Sequence, residues 1–167
     1  MEKIFVSFDI DGTLIKFGGE SAKHPIAFRN AFNILFHMNI KEHPLDYLEH
    51  NTRGLTDSIL LSKMMEKAHL KYDQNIQNKF RTILEKEYKS IVQPQFDLTP
   101  NAESFLNGLS NKKNVTLGIA TGNFKEIAAI KLSFTHLDKY LPLDIGGYGD
   151  LFSRRDIIHA LRSAYSY

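Results

Sequence analysis

Two carboxylates two positions apart, Asp9 and Asp11, close the apolar run Ile4 to Phe8 and are followed by Gly12 and Thr13. Like charges this close repel unless a cation sits between them or one keeps its proton. Either arrangement is useful. A metal-held Asp9 can attack an electrophile such as phosphorus, while a protonated Asp11 can give its proton to a leaving group and later take one from water. Gly12 permits a tight turn whose N–H groups converge on an anion, and the Thr13 hydroxyl can brace the loop. By itself, Asp-x-Asp also describes an ordinary acidic turn at a strand end.

A second group lies far along the chain. Thr121-Gly122-Asn123 closes an apolar run and opens a helix, so its hydroxyl and N–H groups can face a phosphate at a helix N-terminus. The same three residues are common in any strand-to-helix turn. For the cation such a site needs, three residues compete. Lys131 sits two helical turns on, where a structural role or plain exposure explains it equally well. Arg154 and Arg155 begin the last helix, a placement that opposes the helix dipole unless an anion lies nearby.

The elements that must position these groups are readable from periodicity. Residues 3–8 form a buried strand, putting both aspartates at its carboxyl end, where open α/β sheets bind ligands. Phe17-Gly18-Gly19 reads as a flexible exit. Phe28, Ala31, Phe32 and Leu35 then recur at helical spacing behind Pro25, a short turn or helix covers Pro44 to His50, and Thr56 and Asp73 cap two further helices. Three or four helices with no strand among them make a helical insert at 18–94. Beyond Pro94, Thr99-Pro100 starts a helix, Val115 to Ala120 is a second strand, and Leu143 to Ile145 is a weaker third one before Gly146-Gly147. Ser153 caps the last helix, with Asp156 in a capping-box arrangement. Strands alternating with helices over short connections imply a parallel sheet.

Composition excludes several classes. At 167 residues, 43% apolar and 24% charged, the chain has room for one ordinary core and a small inserted subdomain. A net charge of +2 does not argue for nucleic acid or an anionic membrane surface. No cysteine is present, so disulfides and thiolate chemistry are excluded, and the seven histidines are scattered without the pairing of a zinc site. Nothing resembles a signal peptide or a membrane span, so a cytoplasmic location is expected.

The string Asp9-Ile10-Asp11-Gly12-Thr13 after a hydrophobic strand resembles the nucleophile motif of the haloacid dehalogenase superfamily. Strand-terminal Thr121 with Gly122-Asn123 is similar to the second motif of its phosphoglycolate-phosphatase-like branch. The resemblance implies an α/β fold, a Rossmannoid parallel sheet at 1–17 and 95–167 with an inserted helical cap at 18–94. It also implies magnesium held by Asp9 and Asp11, Asp9 as nucleophile and Asp11 as acid/base. The phosphoryl group would be bound by Thr121, with Gly12, Thr13, Gly122, Asn123 and Lys131 as its other contacts. Gly149-Asp150 followed by Arg155 is similar to a segment of that branch, which favours Arg155 as the catalytic cation. Arg53-Gly54-Leu55-Thr56-Asp57 resembles a cap loop over the active site, with Arg53 placed to contact a substrate anion. The implied activity is hydrolysis of a small phosphorylated metabolite.

The resemblance runs from Ile4 to Ala164 and then departs from the family pattern. Family members continue into another strand with an acidic motif supplying a magnesium ligand, and nothing after Ile158 provides it. A shortened version is therefore expected, with the first strand unpaired along one edge and open to self-association. Two rivals follow: a catalytically silent relic or binding module, and a phosphoacceptor receiver domain, which the long helical insert argues against.

Overall fold

The computed structural model describes residues 2–48, 54–151 and 153–165 of the chain. Three parallel strands, β1 (Ile4–Phe8), β2 (Val115–Ala120) and β3 (Gly146–Gly147), lie in the order β1-β2-β3. The β1–β2 register runs from Ile4 opposite Val115 to Phe8 opposite Ile119, so both strands end at the same rim of the sheet. That alignment brings two turns more than a hundred residues apart in sequence to one place. Among the described residues β1 pairs only on its β2 side. Its outer face is partly covered by Tyr165, whose ring stacks on Phe5 at 4.8 Å.

The third strand is not where the sequence puts it. Residues 143–145 form a turn closed by Ile145 N–H donating to Pro142 O, and β3 itself starts at Gly146, with Ile145 contributing only its carbonyl to the Ile119 N–H of β2. Pro142 lacks an N–H and starts that turn, which delays the strand.

Between β1 and β2 lie four helices, α1 (Lys23–Phe36), α2 (Pro44–Leu48), α3 (Asp57–Lys67) and α4 (Gln74–Ile91), and then α5 (Ala102–Ser110). α6 (Lys125–Phe134) joins β2 to β3, and α7 (Arg154–Tyr165) follows β3. The caps argued from sequence hold: Thr56 Oγ1 accepts from Ile59 N–H, Asp73 Oδ1 from Ile76 N–H, and Ser153 Oγ from Asp156 N–H. α5 starts two residues later than Thr99-Pro100 suggests, because the Thr99 hydroxyl donates to Thr13 O at 2.6 Å instead of capping the helix.

Apolar side chains gather in two clusters. One is built by α1, α3 and α4 around Phe28, Phe32, Met64, Phe80 and Tyr88, each fully buried. The other lies on the sheet around Ile10, Ile15, Leu106 and Ile119. Each fully buried side chain of this size contributes roughly 2–3 kcal/mol. α6 belongs to both: Phe124, Ile127 and Ile130 join the first cluster, while Ala128 and Leu132 join the second. Helical spacing separates those two sets onto different faces. Arg81 of α4 grips Glu126 of α6 with two nitrogens, at 3.1 and 2.7 Å, fixing the helical layer to the sheet layer.

Candidate active site

The loop after β1 is wound tightly around Ile10, whose carbonyl accepts the N–H groups of Thr13, Leu14 and Ile15. Gly12 has φ +79°, and a Cβ there would overlap the Phe17 ring. This winding sends the two aspartate side chains into different surroundings. Asp9 Oδ1 accepts the Ile10 N–H at 2.9 Å, and Oδ2 accepts Arg154 Nη1 at 2.9 Å. The same guanidinium donates through Nε to Gly54 O at 3.0 Å, so Arg154 spans from the loop after β1 to the segment entering α3.

Asp11 is held on all sides. Lys131 Nζ lies 2.8 Å from Oδ1 and 2.6 Å from Oδ2, Asn123 Nδ2 donates to Oδ2 at 2.7 Å, and Ser21 Oγ donates to Oδ1 at 2.7 Å. Burial alone raises this carboxyl, but the Lys131 charge and the hydrogen bonds from Lys131, Asn123 and Ser21 overcome it and hold Asp11 at about 2. Lys131 itself is completely buried, and its ammonium also donates to Asn123 Oδ1 at 3.2 Å. The Asn123 amide is thereby satisfied at both ends, since its second Nδ2 hydrogen goes to Thr121 Oγ1 at 2.9 Å. The chain Thr121, Asn123, Asp11, Lys131 is one network joining the ends of β1 and β2.

The turn after β2 also receives α3. Asp57 N–H donates to Gly122 O at 2.8 Å, and Asp57 Oδ2 accepts the Phe124 N–H at 2.7 Å. His24 Nε2 lies 3.4 Å from the same carboxylate oxygen. Ser58 N–H donates to Gly149 O, and Gly149 N–H to Asn123 O, so three segments share one backbone network. Gly149 is required there, because any Cβ would collide with the Gly122 carbonyl. Asp9, Asp11, Gly122, Asn123 and Arg154 line one end of a cavity of about 240 Å³, roofed by residues of α1, α2 and α3.

A family model described as haloacid dehalogenase-like hydrolase matches residues 6–152. The chain belongs to that family. Solved structures carry the same fold. A hydrolase from Pseudomonas syringae aligns at TM-score 0.63 and 21% identity, over 97% of this chain and 70% of that one. A predicted phosphatase from Clostridium acetobutylicum aligns at TM-score 0.58 and 17% identity, over 98% and 71%. A predicted phosphoglycolate phosphatase from Haemophilus somnus aligns at TM-score 0.53 and 16% identity, over 84% of this chain and 60% of that one. No curated protein matches.

In this haloacid dehalogenase-like hydrolase the site residues expected from sequence separate into two groups. Asp9, Asp11, Gly122, Asn123, Lys131 and Thr121 come together. Arg155, the preferred cation, does not: it is exposed, and among the described residues it makes no hydrogen bond or ion pair with the site, whereas Arg154 reaches Asp9. The reason is helical phase. Arg154 shares a face with Ile157 and Leu161, which are buried against the sheet, and Arg155 is turned about 100° away.

Gly12 and Thr13 use their backbone donors within the loop. Their N–H groups are already committed to Ile15 O and Ile10 O, and the Thr13 carbonyl, not its hydroxyl, is braced by Thr99. The side-chain nitrogens of Asn123 and Lys131 are engaged by Asp11, with Asn123 also donating to Thr121. Solvent exposure of Lys131 is ruled out. Arg53 lies outside the described residues.

Ser21 was not singled out by its spacing, and Phe17 read only as part of a loop exit. No periodic signal marks Ser21, ten residues beyond its partner. Lys131, in the second turn of α6, reaches back to the Asn123 amide in the turn before that helix. No helix among the described residues is long and apolar enough to cross a membrane.

Proposed function

We propose that this chain is a phosphomonoester hydrolase working through an aspartyl-phosphate on Asp9, with residues 18–94 acting as the cap over a core formed by 1–17 and 95–167. The observation that carries the reading is the contrast inside one cavity between Asp9, whose oxygens each accept one hydrogen bond, and Asp11, whose oxygens each accept two. A carboxylate oxygen of Asp9 attacks phosphorus, the ester P–O bond breaks, and the departing oxygen takes a proton from solvent. Water then attacks the acyl phosphate while Asp11, ionised at neutral pH, exchanges its Ser21 hydrogen bond for the water and accepts its proton. Orthophosphate leaves and Asp9 is restored. Arg154 neutralises the nucleophile and the phosphoryl oxygens and is the catalytic cation in this reading. Thr121, Asn123 and Lys131 are positioning residues that fix Asp11.

The donor set suits magnesium, which binds through one or two protein oxygens with water and phosphate completing the shell. Asp9's partly exposed carboxylate and the main-chain carbonyl of Asp11 would hold it, and the ion would offset charge on the phosphoryl oxygens. A small phosphorylated molecule is the substrate.

The test is hydrolysis of p-nitrophenyl phosphate by the purified chain across a magnesium titration, beside Asp9→Asn. Magnesium-dependent turnover lost in Asp9→Asn is the expected result. Turnover that survives the substitution excludes the mechanism, and a well-folded wild-type chain with no turnover favours a binding module.

A further inference from the structure

We propose that the cavity beside Asp9 selects phosphomonoesters whose leaving group is a small planar aromatic ring, with Phe17 as the ring's stacking partner. This rests on the phosphatase reading for the phosphoryl end and adds the identity of the other end. Phe17 lines the cavity and is 79% exposed, leaving most of an aromatic side chain in water. A lone exposed aromatic is ordinary on a protein surface, but Phe17 lies in a concave lining that combines apolar residues with a few polar groups, the setting of a ligand site. The ring is backed by the Gly12 backbone, which is close enough that a Cβ on residue 12 would overlap it.

Much of the remaining lining is apolar: Pro25 from α1, Pro44 and Leu45 from α2, Leu55, and Leu60 from α3. Among the described lining residues, full charges are confined to Asp9, Asp11 and Arg154, all at the phosphoryl end. A substrate bearing a second anion, or a sugar with several hydroxyls, would strip water from those groups without regaining their partners. The remaining polar side chains are Asn123, whose amide is engaged by Asp11, Thr121 and Lys131, and His24 and His43. His43 Nδ1 accepts the Leu45 N–H at 3.2 Å, which leaves the ring proton on Nε2 and offers one donor. About 240 Å³ is small for a ligand site and suits one ring with its phosphoryl group. The reaction so specified takes an aryl phosphate and water to a phenol and orthophosphate.

Calorimetric titration of the full chain in magnesium with phenylphosphonate, methylphosphonate and phosphonoacetate tests this apart from turnover, because the P–C bond is not hydrolysed. Phenylphosphonate should bind about tenfold tighter than methylphosphonate. Phe17→Ala should abolish that preference without changing the methylphosphonate Kd, and Phe17→Tyr should keep it. Equal binding of the two, a preference that survives Phe17→Ala, or tighter binding of phosphonoacetate overturns the proposal. The last outcome would transfer recognition to a cation such as Arg53. A Phe17-dependent preference in a chain that does not hydrolyse phenyl phosphate supports the aromatic site and overturns the phosphatase reading instead.

Discussion

Asp9 and Asp11 are two residues apart on one loop, yet their surroundings differ in kind. Asp11 is bound by an ammonium, an amide and a hydroxyl, drawn from α6, the β2 turn and the segment before α1. Both line the cavity, but Asp9 receives only one backbone N–H and one half-exposed guanidinium, so each of its oxygens keeps an acceptor direction. Identical chemistry is thus divided into a fixed partner and an available one. A carboxylate whose acceptor directions are all filled is fixed in place, and it can take a proton only when a partner such as the Ser21 hydroxyl gives way. The carboxylate with acceptor directions to spare is the one proposed to do the covalent work.

The sharpest way to break this contrast is to exchange the available carboxylate. Asp9→Asn should lower kcat for an aryl phosphate by at least about 10⁴-fold while changing the thermal midpoint little, since a nucleophile's loss dominates the rate. An equal loss from Asp11→Asn, with Asp9→Asn still active, would reverse the assignment.

Next in size is the clamp. Lys131→Met leaves a largely buried carboxylate without its counter-ion and should cost about 3 kcal/mol of stability, read as a lower urea midpoint. A midpoint within error of wild type would mean that the ion pair does not fix Asp11.

Acid should reveal the same coupling. Asp11 is held at about 2, below its ordinary 3.8, so its contribution is fully present above the unfolded value and is lost as pH falls through the folded one. Between about pH 4 and 2 the wild type should lose about 2 kcal/mol more than Asp11→Asn. Parallel profiles for the two proteins would refute the coupling.

The smallest effect separates the neighbouring arginines. Arg154→Gln should reduce kcat/KM about tenfold, and Arg155→Gln should stay within about threefold of wild type. Steady-state kinetics on both variants decide it. A larger loss at Arg155 would restore the residue favoured by sequence resemblance.

Much of this was legible before any coordinates. Strand, cap and periodicity signals located β1, β2, α3, α4 and α7 because they are local: Thr56 and Asp73 each bond an N–H three residues on. The motif residues were legible because their types are unusual at strand ends. The Arg154 and Arg155 choice was recoverable in principle from the Ile157 and Leu161 stripe, but resemblance pointed to the neighbour. Ser21 could not be found, because nothing local relates it to Asp11. The third strand was misplaced because an apolar run was weighed above the turn that Pro142 begins.

What this sequence determined alone is where its elements start and stop and which residues carry reactive groups, since propensity, capping and spacing act over a few residues. Which carboxylate is clamped and which is open was decided only in three dimensions. The β1–β2 register sets Asp11 beside Asn123, α6 buries Lys131 between two apolar clusters, and α7 turns Arg154 toward Asp9. Those contacts join residues more than a hundred positions apart, and electrostatic partnership depends on distance in space, which a linear pattern does not encode.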